Sequence, residues 1–188
     1  MSVWTTYDTV PAFYNSKSLP YKIASILLPL SFELSWTMHW SLMTAMKQSS
    51  TIRVLIADDQ NILREAIRRR LQHFADIEVV GESPNLNQAL WDAGSLLPDV
   101  VIMNDYLPPM TSAHATALFR KQGFSAAILA ITEKLEPEII QHSFRHGVNG
   151  FIHKTEIDEL LEKAIRSIAQ GEHFLSPQAA DVYRGHHA

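Results

Sequence analysis

From Thr51 onward, short apolar runs alternate with stretches whose apolar residues recur every three or four positions, and this alternation leaves few folds open. Residues 52–57 are an apolar run ending in Asp58-Asp59. Ile62, Ala66, Ile67, Leu71 and Phe74 follow at helical spacing, with Arg64, Arg68, Arg69 and Arg70 between them. Residues 78–82 read as a second strand, and Leu86, Ala89, Leu90, Ala93 and Leu97 mark a second helix. The third strand, residues 100–103, runs into Asn104-Asp105; Pro108-Pro109 then turns the chain and residues 113–122 read as a helix. Residues 127–131 are a fourth strand. Pro137 suits the first turn of a helix that Gly147 closes. Residues 150–153 are a fifth strand, and residues 157–170 an amphipathic helix ended by Gly171.

Five strands alternating with five helices over short connections predict a parallel sheet covered on both faces, an open doubly wound α/β fold. The crevice of such a fold lies at the carboxyl ends of its strands. The residues there are Asp58, Asp59, Asn104, Asp105, Thr132 and Lys154. Taken singly, each has an ordinary reading. The acidic pair can hold a hard cation through oxygen ligands, or one member can cap the next helix. The Thr132 hydroxyl can donate to a phosphoryl oxygen or cap a turn. The Lys154 ammonium can neutralise a phosphate or sit in solvent. Taken together, they follow different strands in order, with an amide or a carboxylate after the third.

In that arrangement residues 52–177 resemble the receiver domains of two-component response regulators. The resemblance implies a flavodoxin-like (βα)5 sheet of strand order 2-1-3-4-5. It also implies an Mg²⁺ site at Asp58, Asp59 and Asn104, and a switch made of Thr132, Lys154 and the aromatic Phe151. Leu107-Pro108 matches the proline after the phosphorylation loop. The stretch from His146 to Lys154 and the ending from Gly171 to Pro177 look most like the subfamily with a helix-turn-helix output domain.

The match departs from the family at its centre. An ungapped alignment puts Asn104 at the phosphoacceptor position, where the family's chemistry needs a carboxylate nucleophile. The Asn104 carbonyl can still face a cation, without the charge. In a second register Asp105 is the acceptor, since Pro109 follows it at the same spacing; that reading needs a bulge at the strand end. Without one, alternation is expected to keep Asn104 and Asp105 from both facing the crevice. Thr111-Ser112 also stands where the family has a small acidic or polar residue and a glycine.

Bulk composition narrows the function. Hydrophobic residues make up 46% and charged residues 19%, with a net charge of −4 and no cysteine. Disulfide frameworks, zinc–thiolate sites and thiol catalysis are excluded, and no basic stripe points to nucleic acid. Residues 1–45 hold four charged side chains, Asp8, Lys17, Lys22 and Glu33, and three of the four tryptophans. Their longest apolar stretch, residues 23–32, is broken by Pro29 and is about half of a membrane span. Residues 1–50 are read as an extension or as sequence upstream of a start at Met46, residues 51–177 as the receiver, and residues 178–188 as a tail too short for an output domain. His186 and His187 in that tail are read as frayed rather than metal-binding.

The expectation is a stand-alone, cytoplasmic, non-enzymatic receiver that acts by protein–protein interaction. Its partners would be a sensor histidine kinase or another signalling protein, or a second copy; neither nucleic-acid binding nor a membrane anchor is expected. The alternatives are a conventional receiver phosphorylated on Asp105 and a truncated DNA-binding regulator.

Overall fold

The computed structural model describes residues 51–185, which lie within one compact unit, Ser49–Ala188. The readings of residues 1–45 and of His186 and His187 fall outside the described residues. Strands β1 (Ile52–Ala57), β2 (Ile77–Ser83) and β3 (Val100–Asn104) are joined through helices α1 (Asn61–Leu71) and α2 (Leu86–Leu96). A two-residue-armed hairpin, β4 (Tyr106–Leu107) and β5 (Met110–Thr111), leads into α3 (Ser112–Lys121). Then come β6 (Ala127–Thr132), α4 (Pro137–Arg145), β7 (Gly150–His153), a short 3₁₀ turn, Lys154–Glu156, and α5 (Ile157–Ala169). A short strand β8 (Phe174–Leu175) and a helix α6 (Pro177–Gly185) follow.

The main sheet is parallel, in the order β2-β1-β3-β6-β7-β8. Its first five strands have the order expected of a flavodoxin-like sheet. Alternate residues of the central strands feed two cores. Val54, Ile56, Ile102, Leu129 and Ile131 pack under α1 and α5, against Ile67, Leu71, Leu161 and Ile165. Leu55, Val101, Met103, Ile128 and Ala130 pack under α2, α3 and α4, against Ala89, Phe119 and Ile140. Strands buried on both faces explain why these runs are apolar throughout rather than alternating.

Two elements at the end were not expected. β8 adds a sixth strand beside β7, with Ser176 N–H donating to Phe151 O at 3.0 Å. Gly150 permits this approach: a Cβ there would lie 3.1 Å from Phe174 O and 3.0 Å from Leu129 Cδ1. The stretch read as a tail is helical as far as Gly185, and Ala179 on α6 is fully buried in the core beside α4. It is too short to show helical periodicity clearly, and its stability comes from packing rather than propensity.

Candidate functional site

Asp58 follows β1 directly and is 2% exposed. Its Oδ1 accepts the Gln60 N–H at 2.7 Å, so this acid shapes the loop into α1. Burial pushes its carboxyl above the usual range, against the opposing pull of that N–H and of Lys154. Asp59 is exposed at the mouth of the cleft.

Asn104 ends β3, whose ladder to β6 runs without a shift from Val100 to Asn104. Its Nδ2 donates to Asp59 Oδ1 at 3.2 Å. The orientation follows from chemistry, because an ionised carboxylate only accepts. Asp105 lies just beyond the strand. Its Oδ1 accepts from Ser112 Oγ at 2.7 Å, and its Oδ2 lies 3.5 Å from Thr132 Oγ1, a long contact. Burial raises its carboxyl too, while Ser112 and Thr132 pull it back down.

Asn104 and Asp105 therefore line one cleft together with Asp59, Thr132 and Lys154. The expectation that an unbulged chain would keep one of them out is corrected. Strict alternation holds only within the strand, and β3 ends at Asn104. Asp105 keeps its N–H on Ile131 O at 2.8 Å but lies past the last paired residue, and its carboxylate reaches the Thr132 side while Asn104 reaches the Asp59 side.

Thr132 is 3% exposed. Its hydroxyl closes a local turn, donating to Lys134 O at 2.9 Å and accepting from Lys134 N–H at 3.0 Å. Lys154 Nζ pairs with Glu133 Oε1 at 2.8 Å. Phe151 does not line the cleft. It is fully buried, edge-on to Phe144 of α4 with ring centroids 5.7 Å apart. Sequence reasoning missed Ser112, which holds Asp105, and Glu133, which holds Lys154. Adjacency to a strand end was the available signal for Glu133. For Ser112 the signal was the unusual Thr111-Ser112 pair in the loop after the third strand, which did not say that its hydroxyl would reach Asp105.

The donor set fits a hard cation only in part. Among the described residues no three His, Asp or Glu side chains form a ready cage. Asp58 has one oxygen committed to Gln60, and Asp59 faces an amide where a second anionic oxygen would favour Mg²⁺.

The sheet order and this strand-end cluster define a receiver-type domain. The response regulator receiver domain family matches residues 54–166. The chain is 30% identical over 128 residues to the response regulator protein VraR of Staphylococcus aureus (strain NCTC 8325 / PS 47), covering 68% of this chain and 61% of that one. It thus spans about 61% of the length of the curated relatives it matches. A two-component response regulator of the LuxR family from Aurantimonas sp. SI85-9A1 superposes with a TM-score of 0.70 at 28% identity, covering 73% of this chain and 99% of that one. The signal receiver domain of NarL from Mycobacterium tuberculosis gives 0.62 at 29%, covering 65% and 99%. The chain belongs to the response regulator receiver family of two-component signalling. Receiver domains of this family generally bind Mg²⁺ at the phosphorylation site and interact with histidine kinases. No helix among the described residues is long and apolar enough to cross a membrane.

Proposed function

We propose that this receiver works as a protein-binding signalling module whose phosphoacceptor position is chemically silent, and that it is not an enzyme. The observation that carries the reading is the Asn104–Asp59 hydrogen bond. In a phosphorylatable receiver two carboxylates meet here and a cation must hold them together; here a neutral amide holds Asp59 instead. An amide is not a useful nucleophile toward phosphorus, so no aspartyl phosphate forms at residue 104.

Mg²⁺ then binds weakly, through Asp58 and Asp59, and only when Asn104 turns its carbonyl inward and gives up its bond to Asp59. Lys154 is held by Glu133 and Thr132 by its own turn, so the switch groups rest on protein partners. The partner is a sensor histidine kinase or another signalling protein, met through the surface around α4 and β7.

Asp105 supports a second reading, since it lines the same cleft near Thr132. Two features weigh against it as a nucleophile: Ser112 occupies one of its oxygens, and burial disfavours its anion. Titration with beryllofluoride and Mg²⁺, followed by amide NMR, separates the readings. Unmoved Thr132 and Lys154 resonances support the silent site; shifts at both that vanish in Asp105→Ala support Asp105.

A further inference from the structure

Three histidines meet where α3 faces α4. His142 and His146 are one turn apart on α4, and His114 faces them from the first turn of α3. Their ring centroids are 5.9 Å (His114–His142), 6.1 Å (His114–His146) and 4.1 Å (His142–His146) apart. We infer that this cluster is a proton-sensitive seam: its rings pack together while neutral, and mildly acidic conditions charge them and loosen α4 from α3. The inference does not rest on the reading of Asn104.

Geometry is the first support. The His142 and His146 rings are in contact, and His114 is a direct neighbour of both. Imidazolium charges at such separations repel one another, and exposure to solvent reduces that repulsion without removing it. Two of the rings are also tethered in place. His146 Nδ1 donates to His142 O at 2.8 Å, a bond that the neutral and the charged ring can both make. His114 Nδ1 is held by Thr111 Oγ1 at 2.9 Å, and a hydroxyl can serve either charge state. The rings therefore cannot swing apart without giving up these bonds, and the strain of charging falls on the contact between the helices.

The charged surroundings are the second support. On α4, Arg145 adds a permanent positive charge, and Glu138 stands one turn before His142. Asp105, ahead of α3, borders the same groove as His114, Glu138, His142 and Arg145. Arg120 of α3 donates to Gly147 O at 3.1 Å, just past His146. On the far side of α4, His173 and Tyr183 of α6 pack against Phe144, while Asp181 and Arg184 of α6 pair with each other. The two carboxylates and the carbonyls that end α4 favour a first proton, and the cations oppose the next. At His142 the balance favours the neutral ring. Partial burial, then the charges of His146, His114 and Arg145, hold its imidazole below the ordinary value of 6.5.

Position gives the seam a consequence. α4 carries Phe144, whose ring lies edge-on to Phe151 of β7 and to Tyr183 of α6. Loosening α4 on its α3 side therefore reaches the aromatic packing under β7 and the docked helix α6. Proton uptake becomes an input to the surface around α4 and β7.

A folded-state value below 6.5 means that the unfolded chain takes up this proton first, so the contribution of His142 is complete above 6.5 and is lost as pH falls through the lowered value. The test compares thermal unfolding of the full chain and of His142→Gln between about pH 7.5 and about pH 5.5. The melting temperature of the variant relative to the wild type should rise by a few degrees as pH falls. The same gain should appear when His142→Gln is made in an Asp105→Asn background, and His173→Gln should show none. In the wild type, nuclear Overhauser contacts between the His114 and His142 rings should be present at the upper pH and lost at the lower. A flat difference, a change of opposite sign, a gain that disappears with Asp105→Asn or is matched by His173→Gln, or ring contacts that persist once His142 is charged overturns the proposal.

Discussion

Asn104 Nδ2 donates to Asp59 Oδ1 across 3.2 Å, tying the end of β3 to the loop after β1. The bond joins residues 45 apart in the chain and satisfies an anionic oxygen with an uncharged donor. It bears directly on phosphate and metal chemistry, because both need negative oxygen where the amide now stands.

Incubation with acetyl phosphate should leave the wild type nearly unlabelled. Asn104→Asp restores a carboxylate in line with the cleft and should gain labelling, readable by intact-mass spectrometry. Asp105→Ala should remove any residual signal. Strong labelling that persists in Asp105→Ala would place the phosphate on another carboxylate.

Mg²⁺ affinity should follow the number of anionic oxygens. Asn104→Asp is expected to tighten binding by about tenfold or more through added ligand charge. Asp58→Ala should lower it further from an already weak, millimolar level. Isothermal calorimetry in matched ionic strength reads both, and equal affinities across the three proteins would refute the placement of the cation.

Stability should depend on pH through two buried acids. Asp58 and Asp105 both have folded-state values raised above the ordinary 3.8, chiefly by burial. The native state therefore binds more protons than the unfolded chain between 3.8 and the raised values. Their stabilisation is complete below 3.8 and is lost as pH rises through the raised values. Asp105→Asn keeps an oxygen for Ser112 and removes the charge. Its melting temperature should exceed that of the wild type near neutral pH and converge with it only below the unfolded value of 3.8. A gap that widens toward acid would reverse the assignment.

Helix α6 should contribute to stability. Ala179 has no exposed surface, and Tyr183 sits 6.3 Å from Phe144, which in turn stacks edge-on against Phe151. Ala179→Arg forces bulk and charge into that seam and should cost about 1–3 kcal/mol in urea unfolding. Exposed Gln178→Ala should cost almost nothing, since the substitution removes no packed apolar group. Similar losses from both would show that α6 does not dock.

Residues 1–45 should be dispensable for the receiver fold. Among the described residues, the buried members of both cores lie between Val54 and Ala179. A chain beginning at Met46 should unfold in one cooperative transition, and a molten spectrum would count against this.

Much of the architecture follows from local pattern. Apolar runs such as 52–57 and 127–131, separated by helical periods, determined a covered parallel sheet, because chain-local periodicity states which faces are buried. The same pattern put Asp58, Asp59, Thr132 and Lys154 at strand carboxyl ends, and the amide at residue 104 is a covalent fact that no fold changes. Which way the side chains turn past a strand end is set by the exit path of the backbone, and only the tertiary structure decided that Asn104 faces Asp59 while Asp105 faces Thr132. It also decided the Lys154–Glu133 pair, the docking of Ala179 and the meeting of His114 with His142. Each joins residues tens of positions apart or adds too few residues to show a period. Such contacts depend on how helices and strands pack in space, which no stretch of local sequence encodes.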